Sequence, residues 1–190
     1  MAKKYRRYYR GYGRASKKVF NKIASNYTKV KFDVSKRILV STQNIRWDNP
    51  NATTVSISTL IDLSPDYQMY RQLYLSMKVT GVAVVVVPML RSNNYTGAGS
   101  YVMGLLTDND GDNFGNIVES DKSIILDFQH VARRYWSFIG GSTGWINIEA
   151  GEDFPGKFGL AATDLPTAGE TYWTVKFTFY INPSSRSSNK

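Results

Sequence analysis

The feature that most constrains the fold is a strict two-residue alternation near the C-terminus. Between residues 171 and 181, large apolar side chains occupy every second position, and most positions between them are polar. The apolar positions are Trp173, Val175, Phe177, Phe179 and Ile181. Because successive side chains of a β-strand point to opposite faces, this pattern predicts a long strand with one core face and one polar face.

Related patterns upstream predict that the whole body is all-β. Val30, Phe32 and Val34 indicate a half-buried strand, with extended chain continuing over residues 37–43. The densest β-branched run covers residues 75–87, stops at Pro88, and predicts a central strand that is covered on both faces. Further strands are predicted at residues 53–60, 101–106, 123–128, 133–139, 145–149 and 157–162.

One short helix is predicted at Ser64-Pro65-Asp66, which combines a capping hydroxyl, a proline in the first turn and an acid near the positive end of the helix dipole. The helix should end near Leu73 or Tyr74. Loops at residues 92–100, 108–118 and 140–144 are candidates for exposed display. Eight or nine strands with one short helix indicate an eight-stranded antiparallel jelly roll, which is a β-sandwich.

The first 31 residues differ from the body in charge. They contain eleven Lys or Arg and no acidic residue, whereas the whole chain carries +9, so the remainder carries −2. Gly11 and Gly13 stand where a helix would otherwise continue, so this arm is expected to be extended and disordered on its own. The expected organisation is a basic arm at residues 1–29, a jelly-roll domain at 30–183 and a polar tail at 184–190.

Tyrosines are interleaved with the basic residues of the arm. Lys and Arg neutralise phosphates and release counterions, while tyrosines stack on unpaired bases at about 1–3 kcal/mol each. The arm is therefore predicted to bind single-stranded nucleic acid in a sequence-tolerant, salt-sensitive way. The candidate contact residues are Lys3, Lys4, Tyr5, Arg6, Arg7, Tyr8, Tyr9, Arg10, Tyr12, Arg14, Lys17, Lys18 and Lys22.

The alternative for the arm is a solubilising tail or a plain nuclear-import signal, although import and nucleic-acid binding can share the same residues. The candidate import residues are Lys3, Lys4, Arg6, Arg7, Arg10, Arg14, Lys17 and Lys18.

The residues needed for catalysis or for a cofactor are largely missing. The chain has no cysteine and one histidine, His130, which excludes thiol nucleophiles, Cys-ligated zinc and metal sites built from several histidines. The segment 151–157 has the glycine and lysine spacing of a phosphate-binding loop. However, Phe158 replaces the required hydroxyl, and Glu152 and Asp153 would repel phosphates. We expect no enzyme activity and no cofactor.

An acidic loop provides one weak candidate for a metal site. Asp108, Asp110 and Asp112 occupy alternate positions, and Glu119 stands where an EF-hand loop has its twelfth ligand. The glycine required at the sixth position is replaced by Asn113, and the flanks do not predict helices. A solvated turn is the preferred interpretation, and a divalent-cation site is the alternative.

Several features coincide with one known family. They are the Tyr/Arg-mixed arm at residues 3–10, the cysteine-free β-rich body, and residues 67–88, where a short aromatic helix precedes a Tyr-led basic strand that ends at Pro88. In these features the chain resembles the capsid proteins of circoviruses and related small circular single-stranded DNA viruses. The resemblance implies a subunit that self-assembles into a T=1 icosahedral shell and directs its arm inward onto the packaged DNA.

The resemblance also implies a virion location, with import of new subunits into the host nucleus. Partners would then be further copies of the chain, viral single-stranded DNA, host import receptors and a cell-surface attachment factor. Membrane insertion is not expected, because no stretch approaches the roughly 20 apolar residues that a spanning helix needs.

Tiling a shell requires apolar and aromatic surface, and the chain has more large aromatics than one small core needs. Trp173 is expected in the core. The aromatics that could serve in either place are Trp47, Phe114, Tyr135, Trp136, Trp145 and Trp173.

Two other classes of protein remain possible from the sequence. The first is a monomeric chaperone that binds single-stranded nucleic acid and has a β-barrel body. The second is a carbohydrate-binding or enzymatic jelly roll with an incidental basic tail.

Overall fold

The computed structural model describes residues 30–40, 45–47, 53–89, 101–120, 123–138, 144–162 and 171–184. Within these ranges the chain forms ten strands and three short helices. The strands are β1 (Val30–Val40), β2 (Ile45–Trp47), β3 (Thr54–Ser56), β4 (Ser76–Pro88), β5 (Tyr101–Leu106), β6 (Ser123–Leu126), β7 (Ala132–Ser137), β8 (Ile146–Asn147), β9 (Lys157–Ala162) and β10 (Thr171–Pro183). The helices are α1 (Ile57–Asp62), α2 (Pro65–Arg71) and α3 (Phe114–Glu119).

The strands form two antiparallel sheets. The larger sheet has the order β2-β1-β10-β4-β7, and β8 also pairs with β4; the smaller sheet has the order β3-β9-β5-β6. The chain repeatedly crosses between the sheets, so that β1, β4, β7 and β10 lie in one and β3, β5, β6 and β9 in the other. This winding is that of a jelly roll, and the predicted fold is confirmed.

The hydrophobic core lies between the two sheets and is dominated by β10. The five apolar positions of its alternating pattern are at most 1% exposed. Phe177 of β10 meets Phe158 of β9 with ring centroids 4.8 Å apart, which joins the sheets. Trp173 stacks on Phe128 at 4.7 Å and donates its Nε1–H to the Asp127 carbonyl at 2.7 Å. The predicted two-faced strand is confirmed, as is the core position of Trp173.

The prediction that the valine-rich strand is covered on both faces is wrong. β4 is central, between β10 and β7, and its inward valines are buried. On the outer face, however, Ala83 and Val85 are half-buried and Val87 is 37% exposed. In the described residues no helix or strand layer covers this face, so the run owes its valines to strand propensity as well as to burial.

The predicted strand at residues 53–60 is only three residues long before the chain turns into α1. The Ser56 hydroxyl caps this helix by accepting the Thr59 N–H at 3.0 Å. Ile57, Leu60 and Ile61 then repeat at helical spacing, and all three are fully buried. Burial of this apolar triplet and the cap together outweigh the alternating pattern.

The single helix predicted after Ser64 is confirmed as α2, but its capping hydroxyl is not used. Ser64 makes no side-chain cap bond, and its Oγ is buried without a partner in the described structure. Pro65 and Asp66 occupy the first turn as expected.

The predicted loop at residues 108–118 contains the helix α3. The Asn113 side chain caps it by accepting the Asn116 N–H at 2.9 Å. α3 lies on the outer face of the smaller sheet over the paired glycines Gly104 and Gly159. A Cβ at either glycine would lie 2.7 Å from an atom of Ile117, so only glycine lets the helix approach this closely.

Other differences from the expected elements are shifts of boundaries. The strand predicted at residues 145–149 is reduced to β8, the one at 123–128 ends at Leu126, and β7 begins one residue early and ends at Ser137. The loop at residues 92–100, nearly all of the loop at 140–144 and residues 185–190 of the tail lie outside the described residues.

The glycine pair under α3 generates a test of the packing. Gly159→Ala should lower the free energy of unfolding by about 1–3 kcal/mol, because the new methyl group collides with Ile117. Chemical denaturation measures this change.

The control is Gly144→Ala, since a Cβ there meets nothing within 4 Å, and it should change stability by less than about 0.5 kcal/mol. Ile117→Ala should partly relieve the collision, so that the double variant is less destabilised than the sum of the single variants. If the two changes in the free energy of unfolding were strictly additive, the collision between the Gly159→Ala methyl group and Ile117 would be refuted.

Candidate nucleic-acid and assembly surfaces

The basic arm predicted to bind nucleic acid lies outside the described residues, as do all its candidate contact and import residues. The description begins at Val30, the first residue of β1, which pairs with Ile181 of β10. The arm is therefore joined covalently to the larger sheet at this end of β1.

The outward side of the larger sheet carries a concentration of positive charge, which we call the basic face. A residue is assigned to this face when it alternates along its strand with buried residues, or when it pairs across the sheet with a residue that alternates in this way. Both conditions place the side chain on the side of the sheet away from the core. The basic residues on this face are Lys31, Arg37, Arg46, Lys78, Arg133 and Lys176.

Asp33 is the one carboxylate on this face among the described residues, and it is engaged. It accepts a hydrogen bond from the Thr178 hydroxyl, and its Oδ2 lies 3.8 Å from Lys176 Nζ. The other five basic side chains form no ion pair with a carboxylate in the described part of the chain. The face therefore keeps a strong positive excess.

Two tyrosines lie within the basic face. Tyr135 of β7 and Tyr180 of β10 meet edge to face with centroids 5.7 Å apart, and Lys31 Nζ lies 5.4 Å from the Tyr180 ring centroid. Between them is Gly81, where a Cβ would lie 2.5 Å from the Tyr135 hydroxyl oxygen. Glycine at this position lets Tyr135 lie across β4 toward Tyr180, with 55% of the side chain exposed.

The outward side of the smaller sheet has a different character. α3 covers its middle with Ile117, and the small apolar cluster there includes Leu106 and Ala161. The basic residue that β9 contributes, Lys157, is mostly buried and forms an ion pair with Asp112. Charge for an anionic ligand is thus available on the larger sheet and not on the described surface of the smaller one.

The acidic loop does not bring its carboxylates together. Asp108 Oδ1 accepts the Gly156 N–H at 2.8 Å, whereas Asp112 pairs with Lys157. Asp110 accepts the Thr107 N–H at 2.7 Å, and this hydrogen bond holds the pKa of Asp110 below its usual range. These contacts tie the loop to the start of β9. In the described ranges no group of three or more Asp, Glu or His side chains, Glu119 included, could hold a metal ion.

The histidine and the glycine-lysine segment take ordinary structural places. His130 is exposed and lies 2.9 Å, Nδ1 to Oδ2, from Asp127. The segment 151–157 leads into the strand β9 and not into a helix, and Glu152 accepts the Asn147 N–H at 2.8 Å. A phosphate-binding loop needs a helix N-terminus after it, so this segment does not form one.

Asp127 organises a turn of its own. Its Oδ1 accepts the backbone N–H groups of Gln129 at 2.8 Å and His130 at 2.6 Å. Partial desolvation raises the pKa of Asp127, but the hydrogen bonds from His130 and Gln129 outweigh it and hold the pKa below its usual range. Because the Asp127 carbonyl also accepts Trp173 Nε1–H, this turn fixes one end of the core.

Of the six aromatics that the sequence offered for the core or for an interface, three are buried and three are exposed. Trp47, Trp136 and Trp173 are at most 3% exposed, whereas Phe114, Tyr135 and Trp145 are 44–55% exposed. Other exposed apolar side chains lie on or beside α1 and α2, namely Leu63, Met69 and Leu73. The described surface therefore exposes apolar area of the kind that contacts between proteins bury.

The basic face was missed by reasoning from the sequence. The signal for it is present, since Lys31, Arg37 and Lys176 occupy polar positions of the alternating patterns. Assigning them to one surface requires the strand register, which brings Arg133 of β7 and Lys176 of β10 to opposite sides of Val85.

Comparison with known proteins relates the chain to solved structures only. No protein-family model matches the sequence. No curated protein is detectably similar to it. In the described residues, no helix is long and apolar enough to cross a membrane.

Many solved structures share the fold, and viral coat proteins are prominent among them. BFDV capsid protein, in a decameric crystal structure, is 12% identical, with TM-score 0.52 over 83% of this chain and 98% of that chain. The Cocksfoot mottle virus structure is 12% identical, with TM-score 0.55 over 85% and 97%. A T=1 subviral particle of a Penaeus vannamei nodavirus capsid protein deletion mutant is 14% identical, with TM-score 0.57 over 83% and 97%. At these identities the likeness establishes the jelly-roll fold.

The Asp127 turn generates a prediction about pH. Asp127→Ala should lower the free energy of unfolding by about 0.5–1 kcal/mol at neutral pH, because it removes three largely exposed hydrogen bonds. Since the folded pKa is depressed, this contribution is present above the unfolded pKa of about 3.9 and is lost as pH falls through the folded pKa.

Denaturation curves at several pH values test this prediction. The difference between wild type and Asp127→Ala should shrink below about pH 4. Asp127→Asn keeps an acceptor oxygen without a titrating group, so its difference from Asp127→Ala should depend little on pH. A wild-type advantage over Asp127→Ala that persists undiminished at pH 2 would argue against the assignment.

Proposed function

We propose that this chain is a viral capsid protein that self-assembles into an icosahedral T=1 shell and packages a circular single-stranded DNA genome through its basic arm. The observation that carries the proposal is the jelly roll, which matches 97–98% of the chain in each of three solved viral structures, one of them a deletion mutant. The extreme segregation of charge adds to it, since the first 31 residues hold eleven basic residues and no acidic one.

Self-association is the first part of the proposal. The structural neighbours include a decamer, a 60-mer and a T=1 particle. Exposed Phe114 and Trp145, with the apolar side chains beside α1 and α2, would be desolvated in contacts between subunits.

Packaging of single strands is the second part. Identical basic arms confined inside a shell repel one another unless an anionic polymer neutralises them, so assembly should be coupled to packaging or depend strongly on salt. Four tyrosines within the first twelve residues favour unpaired bases as ligands. The choice of DNA rests on the resemblance to circoviruses, and a circovirus protein is among the structural neighbours.

Nuclear import is the third part. The basic residues of the arm from Lys3 to Lys18 would serve as the import signal before assembly and contact the genome afterwards. The protein would then be found in the virion and, during assembly, in the host nucleus.

Electron microscopy of the purified full-length chain tests assembly. We expect discrete, uniform shells whose ratio of absorbance at 260 and 280 nm shows nucleic acid. Their yield should fall when nucleic acid is removed at low salt, where repulsion between the arms is least screened. Protein that stays monomeric at high concentration, with nucleic acid supplied, would support the chaperone alternative instead.

Deletion of residues 1–22 tests the arm. The variant should lose nearly all packaged nucleic acid, because it loses nine of the eleven basic residues, while circular dichroism shows the same β-sheet content. A matched full-length variant with Tyr5, Tyr8, Tyr9 and Tyr12 changed to Ala keeps the charge and should bind single strands more weakly but still package them. Undiminished nucleic acid in the deletion variant would refute the assignment of the arm.

A further inference from the structure

We propose that the basic face of the larger sheet is a second contact site for single-stranded nucleic acid, formed by the folded body alone. The inference rests on the proposed function and deepens it, since it assigns genome contact to residues on β1, β4, β7 and β10. In an assembled shell, this face would be directed toward the enclosed nucleic acid.

The charge of the face has the geometry that a phosphate backbone requires. Arg37 pairs with Thr174, which pairs in turn with Val87. Two residues away along the strands, Lys176 and Arg133 both pair with Val85, one from each side. Strands are about 4.8 Å apart and residues two positions apart along a strand differ by about 6.6 Å. These three side chains therefore form a bent track across four strands, with a diagonal step from Arg37 to Lys176 and a step straight across β4 from Lys176 to Arg133. A flexible backbone with one charge per nucleotide can follow such a track.

The charge is also available to a ligand. On this face Asp33 is the one described carboxylate, and it already contacts Thr178 and Lys176. Lys31, Arg37, Lys78 and Arg133 form no ion pair with the described residues. An anion that bound here would therefore displace water and counterions and would break no ion pair beyond the long Asp33–Lys176 contact.

The tyrosine pair gives the face a means of holding bases. Tyr135 and Tyr180 already make an edge-to-face contact with each other, and the exposed ring of Tyr135 leaves a π surface for stacking. Lys31 lies over the Tyr180 ring, so a phosphate bound there would lie beside an aromatic platform. Cations that follow the backbone and aromatic rings that stack on bases are the combination found in proteins that bind single strands.

The shape of the face favours a single strand over a duplex. The face is the outside of a sheet and carries no helix or hairpin in the described residues that could enter a major groove. Unpaired bases can instead turn toward the tyrosines while phosphates contact the surrounding cations. Lys31 is the second residue of β1, so this face begins directly after the arm in the sequence.

Paired charge variants of the full-length chain test the inference. The double variant Arg37→Gln and Arg133→Gln removes two charges from the basic face and leaves the arm intact. The control, Arg71→Gln and Arg134→Gln, removes two exposed charges elsewhere, since Arg71 lies on α2 and Arg134 pairs with the inward-facing Val84.

The readout is the salt dependence of binding to oligodeoxythymidylate, a single strand without base pairing. The slope of log K against log salt should decrease in magnitude by about 1.4 for the basic-face variant, or about 0.7 for each lost phosphate contact. The control variant should keep the wild-type slope. Equal slopes for wild type and the basic-face variant would overturn the inference.

A tyrosine series gives a readout that does not depend on charge. Tyr180→Phe keeps the ring and should bind as wild type does, whereas Tyr180→Ala and Tyr135→Ala should each weaken binding by roughly 5- to 150-fold. Thermal melting identifies any variant that fails to fold. Ultraviolet cross-linking of the wild-type complex should place bases on peptides that contain Tyr135 or Tyr180.

The outcomes separate this inference from the proposed function. Cross-links confined to residues 1–29, together with wild-type affinity in the Tyr135→Ala variant, would overturn the basic-face site and leave packaging by the arm intact. A full-length chain that neither binds the oligonucleotide nor forms shells would overturn both. Binding of a protein or of anionic vesicles by the face in place of the oligonucleotide would also overturn it.

Discussion

The inner face of β10, the middle strand of the larger sheet, packs against the smaller sheet, and this packing holds the sandwich together. Its inner face places five large apolar side chains in the core, and its backbone pairs with β1 on one side and β4 on the other. Phe177 joins this strand to Phe158 of the smaller sheet, and Trp173 fixes the Asp127 turn. Each such side chain contributes roughly 1.5–3 kcal/mol when buried, so loss of this strand would remove both the core and the centre of the larger sheet.

The side chains of β10 fill the core between the two inner faces. The residues on the two outer faces are not part of this core, so the two outer faces can differ in charge and in cover. The smaller sheet is closed by α3, whose approach depends on the glycine pair Gly104 and Gly159. The larger sheet has no such cover in the described residues, and its outer positions carry two tyrosines and six basic residues, five of which form no ion pair with a described carboxylate. One sandwich thus presents a side that α3 covers and that carries exposed carboxylates, such as Asp112 and Glu119, and an open, basic side.

The sequence predicted the strands of this fold better than it predicted the helices. The alternation from Trp173 to Ile181 was decisive, because a period of two that is kept over nine residues indicates a β-strand and nothing else. The segment from Val55 to Ile61 was predicted as a strand, because a short apolar run fits the two-residue period of a strand as well as the 3.6-residue period of a helix. The Ser56 side chain favours the helix by capping it, but this hydrogen bond is visible only in the folded structure. The valine run of β4 was misread for another reason: coverage of an outer face depends on which elements pack there, and no local pattern contains that information.

The two candidate nucleic-acid surfaces, the arm and the basic face, also differ in how far the sequence could predict them. The arm could be recognised from charge alone, since it is a continuous segment. The basic face is assembled from strands more than 140 residues apart in sequence, such as those of Lys31 and Tyr180, and only the register brings them together. The carboxylates from Asp108 to Asp112 are the opposite case, since they are close in sequence but do not form one site. Each contacts a different group: Asp108 the Gly156 N–H, Asp110 the Thr107 N–H and Asp112 the Lys157 ammonium.

We propose that this chain forms a shell in which the basic face of the larger sheet contacts packaged nucleic acid. The most direct test is a cryo-electron microscopy reconstruction of the assembled full-length chain at a resolution that orients the two sheets. The account predicts an icosahedral shell in which Tyr135, Tyr180 and Lys176 face the internal nucleic-acid density. A shell whose larger sheet faces the exterior, or is buried entirely between subunits, would contradict it.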